Sequence, residues 1–487
     1  MSSIGLTATS SGAQEASKSV ISGVNVQTAP VYVGNAEYEE LTPEDSVNVT
    51  VGVFFDGTQN NRKNTEARIE HEKNASDPTR NNTIAAQYIF EDGSSFENDY
   101  SNVSRGEPHY EKKDEEKHKQ LSVYIEGIGT ENYGKDSWFP GVALGQGETG
   151  VPAKVKKGCE DTAKEIHKAL KNGGILKIDT LTIDTFGFSR GAAAARNFVY
   201  EVTKRKDQIK TVIPGGKYSP PTIIRYEVNF GPLGEFLKEK GIEVKTLAVR
   251  YVGLYDTVAS YGITHGSDTQ ELHLNAISKA RHVFHIGADD EHRANFRRTD
   301  IKSAGTKGKE VLFPGVHSDI GGGYLETESE TAKVVFKSHF LNKGRAEQQY
   351  LIDQGWYETG ELVLDQWNGH LKATRTNISN RYSFIPLHCM SEYGKTKAVD
   401  FDISKIKRSY KIEEAVLVWA KGELDKYIAG NRDKLSFDNP ADRENIKQMR
   451  HDYFHFSAHY DGRKLGFIYP NEPNREDGIR TRVINEG

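Results

Sequence analysis

The chain has 487 residues, enough to bury a sizeable core in one large α/β domain with insertions or in two domains. Lys+Arg number 64 against 69 Asp+Glu, a net charge of -5, which excludes a bulk nucleic-acid binder. Two cysteines, Cys159 and Cys389, exclude a disulfide framework or a cysteine-rich zinc site, and no run approaches the roughly 18 apolar residues needed to span a bilayer.

Residues 1–45, rich in Ser, Ala, Gly and Thr, read as a flexible tail with neither the basic start nor the apolar stretch of a signal peptide. Any role outside the producing cell would therefore need export without a cleavable signal. The first convincing strand covers 47–55 and ends in Asp56-Gly57-Thr58. Residues 59–118 are polar with few apolar periodicities and read as a long surface excursion with one short helix near 82–90. A strand at 120–125 runs into Glu126-Gly127-Ile128-Gly129-Thr130, and residues 161–170 carry apolar residues at helical spacing.

The strand-like run 178–186 leads into Gly187-Phe188-Ser189-Arg190-Gly191, and an alanine-rich helix follows directly. Further strands at 246–255 and 310–313 end in Asp256-Thr257 and in Pro314-Gly315-Val316-His317-Ser318-Asp319, the latter followed by Gly321-Gly322-Gly323. Residues 330–445 read as largely helical, with an amphipathic candidate at 412–428 expected to pack on the core. Strands separated by helices predict an α/β fold with a mostly parallel central sheet and helices on both faces, and the motif set below makes it α/β-hydrolase-like by resemblance. The expected division is a tail at 1–45, a catalytic core at 46–330, a mainly helical cap or accessory region at 331–450, and a C-terminal segment at 451–487 that packs back on the core.

Strand, Gly-x-Ser-x-Gly and helix in succession are the sequence form of a nucleophile elbow. The two glycines suit a strained turn that lifts the Ser189 hydroxyl to a helix N-terminus, where an oxyanion is favoured. A serine needs a base, normally a histidine held by a carboxylate, and hydrolases of this fold order them Ser, Asp or Glu, His. Asp256 and His317 each end a later strand, in that order. Asp256 could equally be a turn cap; Asp319 is a rival carboxylate, and His455 or His459 a rival base. His282, His285 and His292 read as helix-face residues. For the oxyanion, one donor is expected from the Arg190 amide and the other from the Gly57/Thr58 loop, with Gly127-Ile128-Gly129 as runner-up. Glycines around His317 would bare the backbone for a ligand. Acidic runs such as Asp289-Asp290-Glu291 read as solvated faces rather than cation sites. No cofactor and no metal is expected.

Taken together, Phe54-Phe55-Asp56-Gly57-Thr58 with Asn60-Asn61, Gly127-Ile128-Gly129-Thr130, Gly187-Phe188-Ser189-Arg190-Gly191-Ala192, Gly253-Leu254-Tyr255-Asp256-Thr257-Val258 and the block from Phe313 through His317 to Tyr324 appear in order. This set resembles the α/β-hydrolase family that includes the type VI secretion system lipase effectors of family 1. The resemblance implies a phospholipase hydrolysing acyl esters of glycerophospholipids through a triad matching Ser189, Asp256 and His317. It also implies a cognate immunity protein, a secretion-machine spike or adaptor as carrier, and action in a target cell's periplasm or at its membranes.

Overall fold

Alternation along β1 (Val47–Phe55) sends Val49, Val51, Val53 and Phe55 into one core and Phe54 into a second, on the opposite face of the sheet. The computed structural model describes residues 46–77, 79–136, 150–171, 174, 176–213, 222–259, 269–462 and 469–487. All of them lie in one compact unit, Pro43–Gly487. The tail expected at 1–45 lies outside the described residues, as do residues 137–149.

After β1 come α1 (Arg62–Ser76), the short α2 (Asn102–Gly106), β2 (Lys113–Asp114), β3 (His118–Ile125), α3 (Val151–Lys171), β4 (Lys177–Phe188) and α4 (Arg190–Thr203). A hairpin of β5 (Lys206–Ile213) and β6 (Thr222–Val228) leads to α5 (Gly231–Glu239), β7 (Glu243–Tyr255), β8 (His282–Ala288), β9 (Arg298–Thr299), β10 (Gly308–Phe313) and α6 (His317–Gly321). The central sheet has seven strands in the order β10-β8-β7-β4-β1-β3-β2, parallel except for the β2–β3 pair. This is the expected α/β-hydrolase-like class.

From β1 the chain steps to β3 on one side, and from β4 it steps to β7 on the other. The crevice at the C-terminal ends of β1 and β4 is thus a topological switch point, where ligands bind in open α/β sheets. One core packs α3, α4 and α5 on the first face; the four consecutive alanines Ala192–Ala195 are all buried there and let α4 lie close to the sheet. The aromatic second core joins Phe54, Phe186, Tyr251 and Phe284 to residues beyond 330, with Phe54 and Phe186 stacked at 4.5 Å.

Some elements differ from expectation. Residues 59–118 contain the 15-residue helix α1, whose buried side is polar (Asn64, Thr65, Arg68 and Glu70 beside Ala67), so no apolar stripe announces it. The short helix near 82–90 is a 3-10 turn at Thr83–Gln87. His282 and His285 lie on strand β8, not on a helix face. The region after 330 is not all helical: β11 (Thr327–Phe336), β12 (Leu362–Leu364) and β13 (Leu371–Ser379) form an antiparallel sheet in the order β11-β13-β12. The amphipathic candidate is a helix at Ala415–Ala429 whose Val416, Leu417, Ala420 and Leu424 enter the second core.

Candidate active site

Ser189 stands between β4 and α4 with φ 58 and ψ -128, a backbone conformation that a non-glycine residue holds only under constraint. Glycines on both sides let the chain close tightly around it. A Cβ on Gly187 would lie 2.3 Å from the Gly191 carbonyl oxygen, and one on Gly191 would lie 2.2 Å from that of Asp56. The Ser189 N–H donates to the Tyr255 carbonyl at 3.0 Å, and the Val258 N–H donates to the Ser189 carbonyl at 3.3 Å, which ties the turn to the end of β7.

Asp256 follows β7 with φ 41 and is fully buried. Its Oδ2 lies 2.6 Å from His317 Nδ1, and its Oδ1 accepts the Ala288 N–H at 3.0 Å. His317 opens α6, donates its backbone N–H to Glu291 Oε2 at 3.2 Å, and packs its ring against Phe188 at 4.6 Å and Phe296 at 5.0 Å. Burial raises the Asp256 carboxyl, but Arg482 and the bond to His317 outweigh it and hold the group far below the ordinary range. Burial pushes the His317 imidazole below 6.5 despite its carboxylate partner. With its Nδ1 proton on Asp256, Nε2 is the basic nitrogen. Among the described residues the Ser189 hydroxyl makes no hydrogen bond with His317.

The loop after β1 lies against the elbow, because Arg190 Nε donates to Thr58 Oγ1 at 2.7 Å. Gly57 and Thr58 part company here. The Gly57 N–H is taken by Asp56 Oδ1 at 2.7 Å, whereas the Thr58 N–H has no hydrogen-bond acceptor among the described residues. Asp56 also accepts hydroxyls from Ser101 and, at 2.6 Å, from Tyr124, and burial still raises its carboxyl. The runner-up loop is a support: the Gly127 N–H donates to the Asn60 carbonyl at 2.9 Å, and Ile128 accepts from Gln59 at 3.3 Å. The glycines near His317 serve packing rather than ligand approach. A Cβ on Gly321 would strike the Phe188 ring at 1.9 Å, and one on Gly322 would meet the Asn102 amide at 2.9 Å.

The rivals form a pair of their own. Asp319 Oδ1 lies 2.8 Å from His455 Nδ1, its Oδ2 accepts the Val316 N–H at 2.9 Å, and Tyr324 stacks on His455 at 3.6 Å. Neither bonds Asp256 or His317. The run Asp289-Asp290-Glu291 is not a solvated face: Asp290 pairs with Arg450 at 2.8 Å and Glu291 with Arg293 at 2.8 Å, both buried. His285 accepts the Thr257 N–H at 3.0 Å through Nε2. Among the described residues no group of three or more His, Cys, Asp or Glu could hold a metal ion. Sequence reasoning missed Arg482, which donates to both Asp256 oxygens at 2.7 and 2.8 Å; one arginine among three in Arg475–Arg482, far along the chain, carries no local signal.

A strained serine at the C-terminal end of a central parallel strand, on this sheet, defines an α/β-hydrolase-like protein. Residues 233–341 match the family model described as type VI secretion system, phospholipase effector Tle1-like, catalytic domain, which bears out the resemblance to the family 1 lipase effectors. A solved structure of the Tle1 effector bound to the VgrG spike from the type 6 secretion system superposes with a TM-score of 0.59 at 20% identity, covering 93% of this chain and 97% of that one. An uncharacterized protein from Pseudomonas aeruginosa matches with a TM-score of 0.37 at 16% identity, over 83% of this chain and 52% of that one. No curated protein sequence matches.

Proposed function

We propose that the chain is a serine phospholipase effector that hydrolyses acyl esters of glycerophospholipids. The observation that carries this reading is the buried Asp256–His317 pair, with its 2.6 Å hydrogen bond, following a strained Ser189 in hydrolase order. Ser189 Oγ attacks the ester carbonyl while His317 Nε2 takes its proton. Asp256 stabilises the imidazolium, and the Arg190 and Thr58 amides face the oxyanion. The imidazolium then protonates the departing lyso-lipid alcohol, and water repeats the path to release the fatty acid.

The family match favours delivery by a type VI apparatus, with a spike or adaptor as carrier, action at target-cell membranes or in the periplasm, and an immunity protein guarding the producer. The same reading takes 46–330 as the catalytic core, 331–450 as an accessory region and 451–487 as a segment packing back on it. Fatty-acid release from phospholipid vesicles, with mass spectrometry of the lyso-lipid, tests it: wild type releases acid and Ser189→Ala does not. Equal release, or none, removes the catalytic reading.

The missing Ser189–His317 hydrogen bond favours a second reading, a non-catalytic secretion-associated interaction protein on this fold. Catalytic hydrogen bonds are often long before substrate binds, so the first reading stands ahead. A soluble esterase or thioesterase is the remaining outcome, and it would hydrolyse monomeric and aggregated esters at equal rates.

A further inference from the structure

Residues 472–485 run along the segment 292–300. Ala294 N–H donates to the Glu472 carbonyl at 2.8 Å, Asn474 N–H to that of His292 at 2.7 Å, Arg298 N–H to that of Val483 at 3.0 Å, and Asp300 N–H to that of Asn485 at 3.0 Å. This strap drives the Arg482 guanidinium inward until it is nearly buried, with 7% of its side chain exposed. There all five of its N–H groups find acceptors. Nη1 donates to Asp256 Oδ1 at 2.7 Å and the Ala288 carbonyl at 2.8 Å, Nη2 to Asp256 Oδ2 at 2.8 Å and the Phe296 carbonyl at 3.0 Å, and Nε to the same Phe296 carbonyl at 3.2 Å.

We propose that Arg482 is a positioning residue for the Asp256–His317 pair, and that the strap thereby completes the catalytic centre from outside the hydrolase core. This rests on the reading of Ser189 as nucleophile and His317 as its base.

Two physical effects follow from the geometry. The two-pronged contact fixes the plane of the Asp256 carboxylate, so Oδ2 faces His317 Nδ1 in one orientation. The second effect is electrostatic. The groups around the pair are His285 from the sheet, behind which Glu310 is bonded to His285 and paired with Arg298, then Glu291, His292 and Arg293 from the loop after β8, and Arg482. Glu291 and Arg293 offset each other through bonds of 3.0 and 2.8 Å, as Asp256 and Arg482 do. His285 is pressed toward its neutral form by burial, and His292, also by burial, down to about 4. Removing the Arg482 charge therefore leaves one uncompensated carboxylate against His317, which favours the imidazolium and protonates the base at higher pH.

The rate at which a fluorophosphonate probe labels Ser189, followed against pH, reads the base without reference to substrate. The oxygen–phosphorus bond forms, fluoride leaves, and His317 takes the hydroxyl proton. Arg482→Gln is expected to move the acid limb upward by about one pH unit. Arg482→Lys, which keeps the charge but not the fork, is expected to keep the limb and lower the plateau. Wild-type limb and plateau in Arg482→Gln overturn the inference. If that variant does not fold, Arg482→Lys decides: a lowered plateau with an unmoved limb supports the inference, and a wild-type plateau overturns it. No labelling of folded wild type removes the serine-hydrolase reading and this inference together, whereas labelling indifferent to Arg482 removes the inference alone.

Discussion

Ser189 and Asp256 both hold positive φ, 58 and 41, so two of the three proposed catalytic residues sit on backbone that only their surroundings enforce. Asp256→Asn keeps the shape but leaves Arg482 facing a neutral amide, and it is expected to lower kcat by about three to four orders of magnitude and to cost about 3–5 kcal/mol of stability. Vesicle hydrolysis and denaturant melts check the two effects separately. The pH behaviour follows from His317, whose ring burial pushes below 6.5. Because the base must be neutral, the acid limb of kcat/KM is expected below pH 6.5. Stability runs the same way. The depressed His317 contributes stability that is present above 6.5 and lost as pH falls through its folded value, and the depressed Asp256 repeats this in stronger acid, below its ordinary 3.8. Denaturant midpoints at several pH values check the sign.

At the scale of the element, the elbow depends on two close approaches. Gly191→Ala would drive a methyl to 2.2 Å from the Asp56 carbonyl oxygen and push α4 off the end of β1. The expected result is loss of about 3 kcal/mol together with most of the activity, whereas Ser189→Ala should lose activity without the stability; a melt beside a hydrolysis assay separates the two. These glycines were legible in the sequence because the requirement is local, as were the strands β1, β4, β7 and β10 that carry Asp56, Ser189, Asp256 and the segment leading to His317. Less legible was which amide of the loop after β1 is free. Asp56 caps Gly57 and leaves Thr58, and that choice depends on Ser101 and Tyr124 holding the carboxylate from elsewhere in the chain. Helix α1 escaped for a related reason: its buried side chains are satisfied by partners such as Ser95 and the Phe96 carbonyl, not by an apolar stripe.

Across the whole molecule, the part after 330 is joined to the core by the aromatic cluster and by the buried Arg450–Asp290 pair, and it is tied together within itself by a second buried arginine. Arg375, 1% exposed, donates to the carbonyls of Trp356, Arg450, His451 and Phe454 and lies 3.4 Å from Glu330. Arg375→Ala would strip four carbonyls of a donor and leave Glu330 with Lys333 as its remaining cation, and it is expected to destabilise by about 3–5 kcal/mol, seen as a lowered Tm. The same long reach governs Arg482, which stands 226 residues beyond the Asp256 that it grips. On the ribosome, Ser189, Asp256 and His317 emerge and can meet while Arg482 has yet to be made. For that interval the Asp256 carboxylate lacks its guanidinium, so its pairing with Arg482 follows the making of all three residues of the proposed triad.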